Sequence, residues 1–305
     1  MLCAVHISNN VLAPSWEWGG FAIAAVLVTL AAWRLHEDEI APIALLTAAF
    51  FVASSIHVQL PGTSVHLILN GLVGIVLGWR SALAIGVGLT LQAILIGHGG
   101  YLALGVNTCV MTIPALLAWL LFRGLQSLPW TREPLVRMLL VALSAAVWLI
   151  SGISAVSLLW FRMTSESPTT ADDARHALNS AAELALATVM HPAVLVTTVG
   201  LAILAAWIER RLENAPEFPL GLTVGVVTVL LTVAANCGVL ILGGQSFGYT
   251  PAPLVIAVLH LPVAAIEGVI LGFTVGFLAK VRPELLGVRP ETPPRAPLPT
   301  VPDRG

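Results

Sequence analysis

Charged side chains are scarce in this 305-residue chain: 10% of residues are Asp, Glu, Lys or Arg, while 57% are hydrophobic and the mean hydropathy is +0.92. A soluble domain carries roughly a quarter charged residues, so a soluble fold is excluded and a chain whose solvent is lipid is indicated. The net charge of −2, with no basic run interleaved with aromatics, argues against nucleic acid as a partner. Three cysteines, Cys3, Cys109 and Cys237, have no metal-type spacing and two of them fall in apolar segments, so neither a disulfide framework nor a thiolate metal site is indicated. No Gly-x-x-x-x-Gly-Lys-Ser/Thr loop occurs, so the chain has no nucleotide engine of its own. No His-Glu-x-x-His helix occurs either, as a zinc protease would need. Apart from Glu267 the apolar segments hold almost no acidic residues, which disfavours a proton-driven carrier. Lys and Arg are also missing ahead of the first apolar run, and that run ends at Trp33-Arg34 without a small-residue cleavage pattern. It is expected to stay as a membrane helix rather than be removed as a secretory signal.

What is present is a series of apolar segments, each near the roughly 20 residues a spanning helix needs. Candidates fall near 17–34, 40–58, 66–79, 81–97, 105–123, 136–161, 190–208, 219–243 and 253–279. The expected fold is an all-α, polytopic membrane protein with about seven to nine transmembrane helices. The third and fourth are short, as helices are when they stop inside the membrane around a site. With the N-terminus outside, the inner loops and tail receive Arg34, Arg80, Arg123, Arg132, Arg137, Arg210, Arg211, Lys280, Arg282, Arg289, Arg295 and Arg304, and the outside only Arg162 and Arg175. The positive-inside rule therefore predicts an N-out, C-in, multi-pass protein of the inner (plasma) membrane. The Pro-rich tail 288–305 is expected to be disordered on the cytoplasmic side.

The stretch Pro61-Gly62-Thr63-Ser64-Val65-His66-Leu67-Ile68-Leu69-Asn70-Gly71 interrupts two apolar segments. Pro61 and Gly62 end one helix, Thr63 or Ser64 can cap the next, and His66 is expected in that helix's first turn. An imidazole and irregular backbone at this depth are tolerated only inside protein or beside a water-filled cavity. His66 is therefore a ligand candidate, although a helix-end histidine with a satisfied hydrogen bond has the same sequence signature. His6 lies ahead of the first helix, in Val5-His6-Ile7-Ser8-Asn9-Asn10-Val11-Leu12. A histidine second from a free amino terminus can offer its imidazole, its backbone amide and the terminal amine to one metal, leaving one place in a square plane for a distant imidazole. Such all-nitrogen coordination favours nickel or copper over zinc or magnesium.

Four ordered stretches resemble the CbiM/NikM family, the substrate-capture components of energy-coupling-factor transporters for cobalt and nickel. Val5-His6-Ile7 is similar to the family's Met-His-Ile start, and Gly62-Thr63-Ser64-Val65-His66 to its Gly-Thr-Ser-x-His segment. Gly99-Gly100-Tyr101-Leu102-Ala103-Leu104-Gly105-Val106-Asn107 resembles its Gly-Gly-x-x-x-Leu-Gly-x-Asn stretch, and His260-Leu261-Pro262 with Glu267-Gly268 its closing helix. The resemblance implies that residues 1–287 form one transmembrane domain and that the metal is held by the N-terminal amine, by the amide and imidazole of His6, and by His66. It also implies that power comes from partners: a coupling transmembrane protein (the T component), two ATP-binding-cassette ATPases and a small accessory membrane subunit. Three features depart from the pattern. Met1-Leu2-Cys3-Ala4 precedes the motif, so the functional start is expected at Val5, where a GTG codon would be read as Met. His98 stands where the family often has an acidic residue and reads either as a turn cap or as a further ligand. The region 164–250 is long enough to hold two extra spans.

Around this set, His57 is placed to orient a liganding imidazole or simply to end a helix, and Asn107 matches a family position near the site. His260 and Glu267, seven apart on one helix face, suit packing or gating rather than ligation. Asn70, Gln92 and Asn107 otherwise read as interhelical hydrogen bonders. The competing reading is an intramembrane metalloenzyme using His66, His98 and Glu267.

Overall fold

The computed structural model describes residues 6–60, 63–164, 176, 180, 183–184, 186–212, 217–244 and 252–287. Val5, the Pro61-Gly62 break, the 165–175 loop and the 288–305 tail lie outside the described residues. The fold is all-α, as expected for a chain in a solvent that cannot hydrogen-bond its backbone. Among the described residues its helices are α1 (Pro14–Ala32), α2 (Glu37–Ser55), α3 (Asn70–Leu77), α4 (Ser81–Ile96), α5 (Leu104–Gln126), α6 (Pro134–Thr164), α7 (Pro192–Leu212), α8 (Glu217–Gly243) and α9 (Ala252–Val281). Both α7 and α8 fall inside the 164–250 region. Among the described residues, seven stretches are long and apolar enough to cross a membrane, with 70–96 counted as one.

That 27-residue stretch is not one rod. The His66 and His98 rings lie 5.5 Å apart between centroids, so α3 departs from the place to which α4 returns. Gly78, at φ +56, opens a 3₁₀ turn over Gly78–Arg80 that reverses the chain. Eight residues of α3 extend only about 12 Å, well short of the roughly 30 Å hydrocarbon layer. The segment before α3 must therefore enter the protein to meet it.

It enters as a hairpin rather than as a helix. β1 (His57–Leu60) and β2 (Thr63–His66) pair antiparallel, with His57 directly opposite His66. The expected capped helix over 66–79 with His66 in its first turn is therefore corrected: β2 ends at His66, and α3 begins at Asn70 after Leu69 takes a left-handed conformation at φ 52. Pairing strands satisfies the backbone groups that an interrupted helix leaves open.

Small residues set the helix spacing, as expected in lipid, where packing replaces the hydrophobic drive. A Cβ on Gly74 would come within 2.0 Å of the Ala115 carbonyl oxygen, and one on Gly225 within 2.8 Å of the Gly268 Cα, so α3 lies against α5 and α8 against α9 at backbone contact. Gly20 meets Val106 and Gly105 meets Phe21, closing α1 onto α5 in the same way. At the end remote from the hairpin, buried Arg80 ties the turn together. Its guanidinium donates to both Glu39 oxygens at 2.9 and 2.7 Å and to the carbonyls of Ala31, Trp33 and Arg34 at 2.6, 2.9 and 2.9 Å. The fork geometry of arginine caps α1 and pairs with the first turn of α2 at once.

Gly74→Ala is expected to lower stability by about 1–3 kcal/mol or more, because the intruding atom is opposed by backbone that cannot rotate away. Gly200→Ala, where nothing lies within 4 Å, is expected to be neutral or stabilising by about 0.5–1 kcal/mol. Thermal unfolding of both variants in one detergent checks the contrast, and equal midpoints would contradict it.

Candidate metal centre

The first described residues form a strap laid across the hairpin end of the bundle. Ile7 is held at both its polar groups by one side chain: its N–H donates to Asn107 Oδ1 at 2.9 Å, and Asn107 Nδ2 donates to its carbonyl at 2.9 Å. Gly100 N–H donates to the same carbonyl at 3.1 Å, and Leu102 N–H donates to Asn9 Oδ1 at 2.9 Å. Further along, Ala13 N–H donates to the Gly243 carbonyl at 2.8 Å, and Leu12 bridges to Gly244. Gly100 is required here, since a Cβ would meet the Asn9 amide nitrogen at 2.4 Å. Beneath the strap, Ile7, Leu12, Ile68, Met111, Val229, Leu240 and Ile256 share one core. With its backbone fixed at Ile7, His6 is buried to 2% exposure and turned into the protein.

His66 reaches the same place from the end of β2 and is also buried. Its Nδ1 lies 2.9 Å from the Leu67 carbonyl. A carbonyl only accepts, so Nδ1 carries the hydrogen and Nε2 keeps the lone pair that can bind a metal. The His6 and His66 rings stack at 4.9 Å with an interplanar angle of 12°. His98, in the turn after α4, presents its ring edge-on to His6 at 4.6 Å and 79° and to His66 at 5.5 Å and 83°. One nitrogen from each of the three lies within 4.8 Å of the others, and among the described residues this is the cluster of His, Cys, Asp and Glu whose spacing suits a metal ion.

The segment linking His66 to α3 is pinned by α9. Glu267, buried, accepts from the backbone N–H groups of Ile68 and Leu69, the latter at 2.9 Å. Asn70 then donates to the Met111 carbonyl at 3.0 Å and to Thr232 Oγ1 at 2.8 Å, binding the start of α3 to α5 and α8. Gln92, near the end of α4, donates to Ser54 near the end of α2. Asn70 and Gln92 are thus interhelical hydrogen bonders, as the sequence suggests, whereas Asn107 joins α5 to the strap that carries His6.

The remaining candidates separate clearly. Val5 lies outside the described residues, and of His57 only its backbone place opposite His66 is described. His260 is fully buried and turns Nδ1 to the Ile256 carbonyl of its own helix at 2.7 Å, outside the three-histidine cluster. Glu267 does not join the cluster either; its carboxylate is committed to the backbone of 68–69. The metalloenzyme arrangement of His66, His98 and Glu267 around one ion is therefore not assembled. The Glu267 clasp itself is a contact between residues 199 positions apart, and its only sequence signal is an acid isolated in an apolar segment.

The chain matches the sequence profile of the CbiM family, described as the cobalt uptake substrate-specific transmembrane region, over residues 6–206 and 187–285. It is 40% identical over 154 residues to a Haemophilus influenzae protein named "Putative metal transport protein", covering 50% of this chain and 73% of that one. It is 29% identical over 265 residues to the fused nickel transport protein NikMN of Rhodobacter capsulatus, covering 80% of this chain and 75% of that one. A crystal structure of a transition metal transporter shares the fold at a TM-score of 0.52 and 18% identity, over 90% of this chain and 93% of that one.

Removing the clasp without removing a ligand isolates its role. Glu267→Ala is expected to weaken nickel binding about 10–100-fold, the range for losing a group that orients a ligand. Glu267→Gln, which keeps one acceptor oxygen, is expected to lose less. Equilibrium dialysis of the purified variants reads the order, and unchanged affinity in Glu267→Ala would show that the His66 segment is positioned without it.

Proposed function

The chain belongs to the CbiM family of cobalt-uptake substrate-specific transmembrane regions, and from that premise we propose that it is the metal-capture and permeation component of an energy-coupling-factor transporter importing nickel or cobalt ions. The observation that carries this reading is the meeting of buried His6 and His66 under a strap whose next residue back is the proposed N-terminus. In it, the ion is held in a plane of four nitrogens: the amine of residue 5, the deprotonated amide and the imidazole of His6, and Nε2 of His66. The hydrogen that His66 directs to the Leu67 carbonyl leaves Nε2 free of a proton to displace. Coordination by nitrogen alone, in a plane, favours nickel, and the name of the Rhodobacter relative is consistent with that choice.

Orientation follows from charge. Arg34, Arg80, Arg123, Arg137, Lys280 and Arg282 all belong to the bundle end remote from the three histidines: Arg80 joins the α1–α2 turn, Arg123 approaches Gly287, and Arg282 follows α9. The positive-inside rule places that end in the cytoplasm of an inner (plasma) membrane and the metal centre toward the outside, as capture for import requires. The proposed partners are the T component, two ATP-binding-cassette ATPases that supply the energy, and a small accessory membrane subunit.

Two variants test the site. His66→Ala is expected to abolish specific nickel binding while leaving thermal unfolding close to that of the wild type, because a donor is lost while the segment stays anchored through Ile68, Leu69 and Asn70. The second is the chain with Met1-Leu2-Cys3-Ala4 retained, compared with one in which the initiating Met replaces Val5. The shorter chain is expected to bind nickel far more tightly, since a peptide nitrogen replaces the free amine in the longer one. Equal affinity for the two chains in equilibrium dialysis would remove the amine from the site, and full affinity in His66→Ala would remove His66.

A further inference from the structure

His98 is not needed by a four-nitrogen plane, yet the fold brings it to the metal centre and fixes it there. Its backbone is set by the left-handed Gly97 that ends α4 (φ +61) and by its own N–H, which donates to the Gln92 carbonyl at 3.1 Å. Gln92 is in turn clamped to Ser54, so the turn is tied to α2 as well as α4. On its other side a Cβ added to Gly99, at φ +76, would lie 3.7 Å from the His6 Cβ, and Gly100 is bonded to Ile7. The ring thus stands on a framework shared with the strap that carries His6.

The nitrogen positions decide what it can do there. One nitrogen of His98 lies within 4.8 Å of one from each of His6 and His66. The proposed plane already has its four donors, so a further nitrogen can join the ion only along the axis. His98 is also less buried than its two neighbours, so it lies on the open side of the cluster.

We propose that His98 is an axial fifth nitrogen ligand, which converts the planar nickel site into a five-coordinate one and extends its range to cobalt. This rests on the His6–His66 plane proposed above. Nickel(II) in a plane of four strong nitrogen donors is diamagnetic, and a fifth donor on the axis makes it paramagnetic. Cobalt(II) gains more from the added donor because it has less preference for four-coordinate planarity, so geometry rather than raw affinity sets the selectivity.

The test uses the chain that begins with an initiating Met in place of Val5, its amine free, and runs through to Gly305, purified in detergent and titrated with nickel or cobalt chloride. Wild-type nickel protein is expected to be paramagnetic by solution susceptibility. His98→Ala is expected to keep binding nickel, to become diamagnetic with the absorption of a planar complex, and to lose about tenfold or more in cobalt affinity while changing little for nickel. His98→Asn can still hydrogen-bond in the turn and keeps the outcome readable if the alanine variant fails to fold. A ligand role predicts that the asparagine variant is diamagnetic, and a turn-capping role predicts that it matches the wild type. Identical magnetism, spectrum and cobalt affinity in wild type and variants would overturn the assignment of His98. Loss of nickel binding in none of the variants, His66→Ala included, would instead sink the planar site on which it rests.

Discussion

A buried carboxylate holding two backbone N–H groups is the contact on which the proposed metal centre depends. Between β2 and the first turn of α3 the chain is neither strand nor helix, and it runs through a layer that offers no water to satisfy it. Glu267 supplies the missing acceptors from α9, and Leu69 can then adopt the left-handed conformation that turns the chain into α3. Asn70 completes the anchor on α5 and α8. His66 therefore hangs from a segment whose position is set by three helices. His6 hangs from a strap set by Asn107 on α5 and by Gly243 on α8. Because α5 and α8 contribute to both anchors, a shift of either helix moves the two imidazoles relative to each other.

For the proposed site this gives metal release a structural route. Gly74 and Ala115, and Gly225 and Gly268, bring the helices to backbone contact, and such interfaces shift as rigid bodies rather than deforming continuously. A proposed partner acting on the ends of α8 and α9 remote from the histidines would be joined to the His66 segment through Glu267. Those ends are held by the packing of Leu286 with Phe122, Leu220 and Val275.

Much of the architecture was legible in the sequence, because lipid imposes a strict rule. Apolar segments of fixed length, glycines at helix contacts and arginines at one end are written locally, and the helix count, the interhelical amides and the site-bearing break all follow from them. The hairpin was not legible as such. Pro61-Gly62 is equally a helix stop and a turn signal, and the helix reading wins when the flanking residues are scored only for hydropathy. The ladder His57↔His66 shows that pairing was the better solution, since it satisfies backbone groups on both sides of the break. His98 was readable as a turn residue, but its convergence with His6 joins positions 92 apart and appears only once α4 and α5 are folded against the strap. The Glu267 clasp was hidden for the same reason.

The central claim is that the ion is bound through nitrogen by His6 and His66. X-ray absorption of the nickel-loaded protein tests it most directly, because the first shell distinguishes nitrogen-rich, low-coordinate binding with imidazole outer scattering from hydrated, six-coordinate binding. The account predicts four or five nitrogen neighbours with an imidazole signature that diminishes in His66→Ala. A first shell of six oxygens, unchanged by that substitution, would contradict it.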